Sequence, residues 1–189
     1  MPYSSEIFDG EIKDIIKKIN PTNFLDLGAG AGKYGELVKA TVPGARTIAV
    51  EIESDYIERF SLGQIYDEVW NMSVLDLISP EHYDKTFDLV MVGDIIEHLK
   101  KSDGIDLINY LIYRSKWIII EFPHHYLQNA VDGYDSEAHI SVWGESDFVN
   151  FDSTKLHKKE GQRLVVIKGY LDDEASIMDI EPILENHGR

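Results

Sequence analysis

The sequence contains no cysteine. That excludes disulfide scaffolds, cysteine-ligated zinc, iron–sulfur clusters and thiol catalysis together. It also fits a reducing compartment, so a cytoplasmic location is expected. Basic charge is scarce: 18 lysines and arginines face 34 aspartates and glutamates, a formal net charge of −16. A chain of that sign repels phosphate backbones and anionic bilayers, so neither a nucleic acid nor a membrane is the expected partner. No stretch approaches the roughly 18 apolar residues of a membrane span. The opening MPYSSEIFDGEIKDIIKKIN lacks the basic region and apolar core of a signal peptide. Oligomeric state leaves no mark on the sequence.

What is present is a globular composition, 43% hydrophobic and 28% charged over 189 residues, enough to bury one core. Ile12, Ile15, Ile16 and Ile19 recur at helical spacing, so residues 1–20 read as an amphipathic N-terminal helix closed by Asn20-Pro21. Apolar strands are expected at Asn23–Leu27, Arg46–Glu51, Glu68–Asn71, Phe87–Val92 and Trp117–Phe122. Helices are expected at 33–41, 54–60 and 105–114, with a short one at 147–151. The strand runs do not alternate polar with apolar, as strands buried on both faces require. Residues 155–159 and 163–170 form a hairpin about Glu160-Gly161-Gln162, and the tail after Leu171 is acidic and weakly patterned. The expected fold is therefore α/β: one Rossmann-like doubly wound sheet, mostly parallel, with an antiparallel C-terminal hairpin strand and helices on both faces. A single domain over 1–189 is expected, divided into the N-terminal helix (1–20), a cofactor-binding core (21–122), an acceptor loop with its short helix (123–153), the hairpin (154–170) and the tail (171–189).

The first strand runs into Asp26-Leu27-Gly28-Ala29-Gly30-Ala31-Gly32-Lys33. Alternate glycines permit a tight turn and close approach of a ligand, and leave helix-start amides for an anion. A nucleotide triphosphate loop needs four residues between its first glycine and Gly-Lys, then a hydroxyl residue; here there are three, followed by Tyr34. Gly30, Gly32 and Gly35 fit the dinucleotide spacing, but that register puts Gly28 inside the strand and Asp26 beside a pyrophosphate it repels. A zwitterion with an added positive sulfur suits an acid beside bare amides better.

Here the chain resembles class I S-adenosylmethionine-dependent methyltransferases, whose first motif is an acid, one residue, then Gly-x-Gly-x-Gly; Asp26, Gly28, Gly30 and Gly32 match it. The resemblance implies S-adenosyl-L-methionine as cofactor, held by Asp26 and these glycines. Glu51, at the end of the second strand, would accept both ribose hydroxyls, with Ile52 beside it. After the third strand the family places an acid near adenine; here Met72 and Ser73 stand there, Met72 to pack on the ring and Ser73 to address it through its amide or hydroxyl.

The fourth strand ends FDLVMVGD and is followed by IIEHL. Asp94 lies at the sheet edge where ligands bind and is a candidate cofactor-binding residue; many members of the family that the chain resembles carry an acid here followed by Glu-His-Leu. In part the pattern is similar to metal-assisted 2′-O-methyltransferases that act on the 3′ end of small RNAs. There two acids and a histidine of this motif join a later loop histidine around Mg²⁺. Asp94, in place of the usual glutamate, with Glu97, His98 and His139 would occupy those positions, and the four are the candidate catalytic and metal-ligating residues for Mg²⁺ or Mn²⁺. His98 or His139 as a general base without metal is the competing reading.

Phe122, Tyr126, Tyr134 and Trp143 are candidates to stack on an acceptor, and His124 and His125 to line its pocket. Lys155, Lys158, Lys159, Arg163 and Lys168 gather on the hairpin, either to touch an anionic substrate or as a solvated face. With no large recognition domain beyond the core, the expected acceptor is a small molecule or a saccharide, methylated on oxygen, with nitrogen left open. The alternatives are an RNA 2′-O-methyltransferase, an NAD-dependent oxidoreductase and a non-catalytic cofactor-binding protein.

Overall fold

The structure, a computed structural model, describes residues 3–131, 133–172 and 174–186. Residues 1 and 2 of the expected N-terminal helix, 132 of the acceptor loop, and 173 and 187–189 of the tail lie outside them. Seven strands form one sheet: β1 (Asn23–Leu27), β2 (Arg46–Glu51), β3 (Glu68–Asn71), β4 (Phe87–Gly93), β5 (Ser115–Pro123), β6 (His157–Lys159) and β7 (Gln162–Lys168). Their spatial order is β3-β2-β1-β4-β5-β7-β6. The first five pair in parallel, whereas β7 runs antiparallel to both β5 and β6. The expected fold class is the observed one.

The helices are α1 (Asp9–Ile19), α2 (Lys33–Thr41), α3 (Ser54–Arg59), α4 (Leu62–Ile65), α5 (Lys101–Ile112) and α6 (Glu181–Asn186). The unbroken apolar strands make two cores. Leu25, Leu27, Val90, Val92, Ile118 and Ile120 face Leu107, Ile108 and Leu111 of α5. The intervening residues Phe24, Leu89, Met91 and Ile119 face the other way, toward Ile12, Ile15 and Ile16 of α1 and Tyr34 and Val38 of α2. Each fully buried aliphatic contributes about 1.5–3 kcal/mol, and a strand with water on one face would have only half of them.

Four boundaries depart from expectation. The first helix starts only at Asp9; before it, Ser4 and Ser5 hydrogen-bond to Asp94 at the end of β4, and Ile7 and Phe8 pack with the α1 core. α5 begins at Lys101, before the apolar pattern becomes visible. The short helix expected at 147–151 is a single 3₁₀ turn at Glu145–Asp147. The tail is not featureless: a 3₁₀ turn at Ile177–Asp179 leads into α6, and Ile180 and Leu184 bury against the α1 side.

Candidate functional site

The strand order reverses between β1 and β4, where open α/β sheets hold their ligands. A cleft opens there over Gly28, Gly30, Glu51, Ile52, Ser73 and Asp94. Gly28 and Gly32 have φ of +69° and +86°, in the left-handed region that favours glycine. A Cβ on Gly28 would stand 1.9 Å from Ile95 Cδ1, and one on Gly32 2.5 Å from Ile65 Cδ1. The glycines therefore let the turn close against two isoleucines. Their amides are not bare: Gly28 N–H donates to Val50 O at 2.8 Å, Gly32 N–H to Ala29 O at 2.8 Å, and Gly30 N–H to Glu51 Oε2 at 2.8 Å. Gly28 and Gly30 line the cleft with these amides engaged within the chain, and Lys33 is the cation in its wall.

Asp26 is the penultimate residue of β1. It is fully buried and does not line the cleft. The Tyr66 hydroxyl donates to its Oδ2 at 2.5 Å. Burial, with the nearby Glu51 carboxylate adding to it, raises its pKa from 3.8 to about 7 despite that hydrogen bond and Lys33. Asp26 thus supports the turn from beneath: Tyr66 also accepts from the Gly35 amide at 3.0 Å, tying β1 to α2.

Glu51 is where it was expected. Its Oε2 accepts from Gly30 and its Oε1 from the Glu53 amide at 2.9 Å, which fixes the carboxylate at the cleft wall. Each oxygen keeps a second lone pair for a ligand hydroxyl. Exposed Ile52 supplies an apolar surface beside it. Ser73 lines the cleft, but its amide is donated to Asp76 Oδ2 at 3.1 Å in a capping box; Val74 joins the wall. Met72 lines a separate depression with Leu75 and His82 and packs against the core.

Asp94, with φ of +51°, lines this cleft and a second one on its far side; Ser4 and His98 do the same. Burial raises the Asp94 pKa, opposed by hydrogen bonds from the Ser4 side chain and the Ser5 amide. The segment 3–8 is thus fastened to the end of β4. Lys33 reinforces it, with Nζ bonded to Ser5 O and 2.5 Å from Asp9 Oδ1.

In the second cleft Glu97, His98 and His139 converge, their ligand atoms all within 4.8 Å of one another. Glu97 is 3% exposed, and neither carboxylate oxygen meets a donor from another residue. Burial, then the Asp94 and Glu121 carboxylates, hold its pKa well above the usual range. His98 Nδ1 lies 3.1 Å from Ala138 O and His139 Nδ1 2.7 Å from Tyr126 O. A carbonyl only accepts, so each Nδ1 carries a proton, and it is the neutral ring that presents a lone pair at Nε2. Backbone orientation of the distal ring nitrogen is the usual support of a metal-ligating histidine. Burial lowers the His98 pKa, which favours that neutral form. Asp94 is not part of this set, so the expected fourth protein ligand is absent from it.

Of the four candidate aromatics, only Tyr126 lines the second cleft, edge-on to His139 at 5.6 Å between ring centroids; Tyr3 lines it too. Phe122 and Trp143 are buried in the core; Trp143 Nε1 donates to Ile96 O at 2.9 Å and fills the space left by Gly104. Tyr134 donates to Asp55 at 2.9 Å and packs on Tyr56. His124 lines the cleft, stacked on exposed His125.

Sequence reasoning missed Glu121, buried on β5, whose Oε2 accepts from the Tyr34 hydroxyl at 2.7 Å. Burial, then Asp94, raises its pKa to about 8. Its signal was an acid inside the apolar run WIIIEF. Glu137 was missed too: it lines the first cleft and accepts from the Tyr56 hydroxyl at 2.9 Å.

No protein-family model matches the chain, and no curated protein matches its sequence. Solved structures do match. The methyltransferase domain of bacterial CtHen1-CN superposes with a TM-score of 0.63 at 17% identity, over 86% of this chain and 98% of that one. The fold is one that solved methyltransferases share. The N-terminal domain of EvdMO1, with S-adenosylhomocysteine bound, gives 0.60 at 17% identity, over 88% of this chain and 83% of its own. An O-methyltransferase family protein from Burkholderia thailandensis gives 0.61 at 13% identity, over 84% of this chain. The chain spans 55% of that Burkholderia protein.

Proposed function

We propose that the chain is an S-adenosylmethionine-dependent methyltransferase that methylates a hydroxyl of a small molecule or saccharide. The observation that carries this reading is the meeting of two clefts at Asp94 and His98: one walled by the glycine turn and Glu51, the other by Glu97, His98 and His139. The fold shared with S-adenosylhomocysteine-bound proteins supports it.

When bound, the cofactor supplies a methyl group on a positively charged sulfur. Glu51 orients the ribose diol, Ile52 and Val74 cover the base, and Asp94 offers the one carboxylate shared by both clefts to the cationic end. The residues fit a divalent cation as well: a buried carboxylate without a donor, and two imidazole lone pairs held by backbone carbonyls. Glu97, His98 and His139 would hold Mg²⁺ or Mn²⁺, which would supply Lewis acidity toward the acceptor hydroxyl. If no cation binds, the same Nε2 atoms accept the hydroxyl proton.

Calorimetric titration separates the cofactor classes. S-adenosylhomocysteine should bind while NAD and ATP do not; binding of either nucleotide without S-adenosylhomocysteine would overturn the proposal.

A further inference from the structure

Beside His124, a wall residue of the second cleft, stands charge opposite to that of the chain. Arg163 of β7 lies directly across from Phe122 of β5 on one side and from Lys158 of β6 on the other. Directly opposed residues project from the same face of a pleated sheet. His124, two residues beyond Phe122, continues that side, and its amide extends the pairing past the strand end by donating to Gly161 O at 2.7 Å. His124 is also a wall of the cleft that contains Glu97, His98 and His139.

This patch is poorly neutralised. Partial desolvation, then Arg163, His125 and Lys158, push the His124 pKa down, and no carboxylate acts in the other direction. The Arg163 guanidinium donates to Gln162 O at 2.8 Å and has no carboxylate partner among the described residues. Lys158 stands 3.6 Å from Glu145, but both are exposed, and such pairs contribute little. The neighbouring Lys159 differs: it is committed to buried Glu11 at 2.7 Å. In a chain of net charge −16, one edge thus presents a guanidinium fork, an imidazole and an ammonium. Inside the same cleft the charged residues are Asp94 and Glu97 at the reacting end and Glu160 on the hairpin turn, with no lysine or arginine in its wall.

We propose that Arg163, His124 and Lys158 form an anion subsite for a phosphate or sulfate ester on the acceptor, whose hydroxyl reaches the Glu97–His98–His139 end. Arginine matches the geometry of such oxyanions through paired N–H donors, and an imidazole adds a third. Because the rest of the chain repels a polyanion, the acceptor assigned is a small phosphorylated or sulfated molecule. The assignment of the hydroxyl end rests on the methyltransferase reading; the anion subsite is tested without it.

The test titrates inorganic phosphate into the full chain at constant ionic strength and follows the His124 ring signals by NMR. Saturable shifts are expected. Arg163→Gln should weaken them at least tenfold, and Lys168→Gln, at the far end of the same strand, should not. Shifts matching those from added chloride, or an unchanged response in Arg163→Gln with an unchanged melting temperature, would overturn the subsite. In parallel arms, glucose 6-phosphate and glucose 6-sulfate, either binding at least as tightly as the inorganic anion, identify the ester. A single-stranded oligoribonucleotide that outcompetes both would overturn the small-acceptor assignment. S-adenosylhomocysteine binding, measured on the same samples, separates failure of the subsite from failure of the cofactor reading.

Discussion

His139 Nε2 stands 4.0 Å from Glu97 Oε1, although the two residues come from opposite sides of the cleft. Glu97 is set by the 3₁₀ turn after β4, and its carbonyl accepts the amides of Ile140 and Ser141 at 2.8 and 3.0 Å. The turn that places the carboxylate therefore also seats the loop that delivers the imidazole. If this pair holds a cation, His139→Ala and Glu97→Gln should each abolish tight Mn²⁺ binding, read by electron paramagnetic resonance, while S-adenosylhomocysteine affinity changes less than about threefold, a small effect for an outlying group. Retained Mn²⁺ binding in His139→Ala would remove that histidine from the ligand set.

Glu51→Gln keeps one carbonyl acceptor but loses the charge and the second oxygen. A charge-assisted hydrogen bond is worth about 1.5–3 kcal/mol, so S-adenosylhomocysteine should bind about tenfold or more weakly by calorimetry. Unchanged affinity would remove Glu51 from the ribose site.

Gly28→Ala places a Cβ against Ile95 in a left-handed residue. The backbone alone costs about 1–2 kcal/mol, and a lower melting temperature is expected. Adding Ile95→Ala should recover the part due to the clash and leave the backbone part. A double variant no more stable than the single one would show that the collision is not what excludes alanine.

Asp26 makes stability depend on pH. Folding raises its pKa from 3.8 to about 7, so the folded chain binds a proton that the unfolded chain has released. This contribution is fully present below pH 3.8, falls as pH rises, and is lost once the folded group ionises near 7. Denaturant unfolding of Asp26→Asn should show a shallower decline between pH 5 and 7 than the parent chain. An identical slope would mean the burial of Asp26 carries no such penalty.

Most of the fold was legible because parallel core strands are unbroken apolar runs. All five parallel strands fall within a few residues of the positions read from sequence. The start of α5 was hidden because Lys101, Ser102, Asp103 and Gly104 carry no apolar signal, and Gly104 looks like a breaker although the Trp143 ring requires it. Of the candidate site residues, Glu51, Glu97, His98 and His139 line the two clefts. The placement of others was hidden: Asp26 is buried beneath the turn, Met72 lines a separate depression, and Trp143 packs in the core. Sequence spacing reports which residues are near the ligand edge, not which way each one faces.

The loop that follows β5 spans both clefts. On the cofactor side Ser136 donates to Glu53 at 2.6 Å and Tyr134 reaches Asp55; on the acceptor side the same loop presents Tyr126 and His139. On the proposed methyltransferase reading, lifting this loop to release S-adenosylhomocysteine would also dismantle the far wall. Turnover should then follow a compulsory sequence, with the nucleoside entering first and leaving last, and product-inhibition patterns would reveal random exchange if the two ends worked independently.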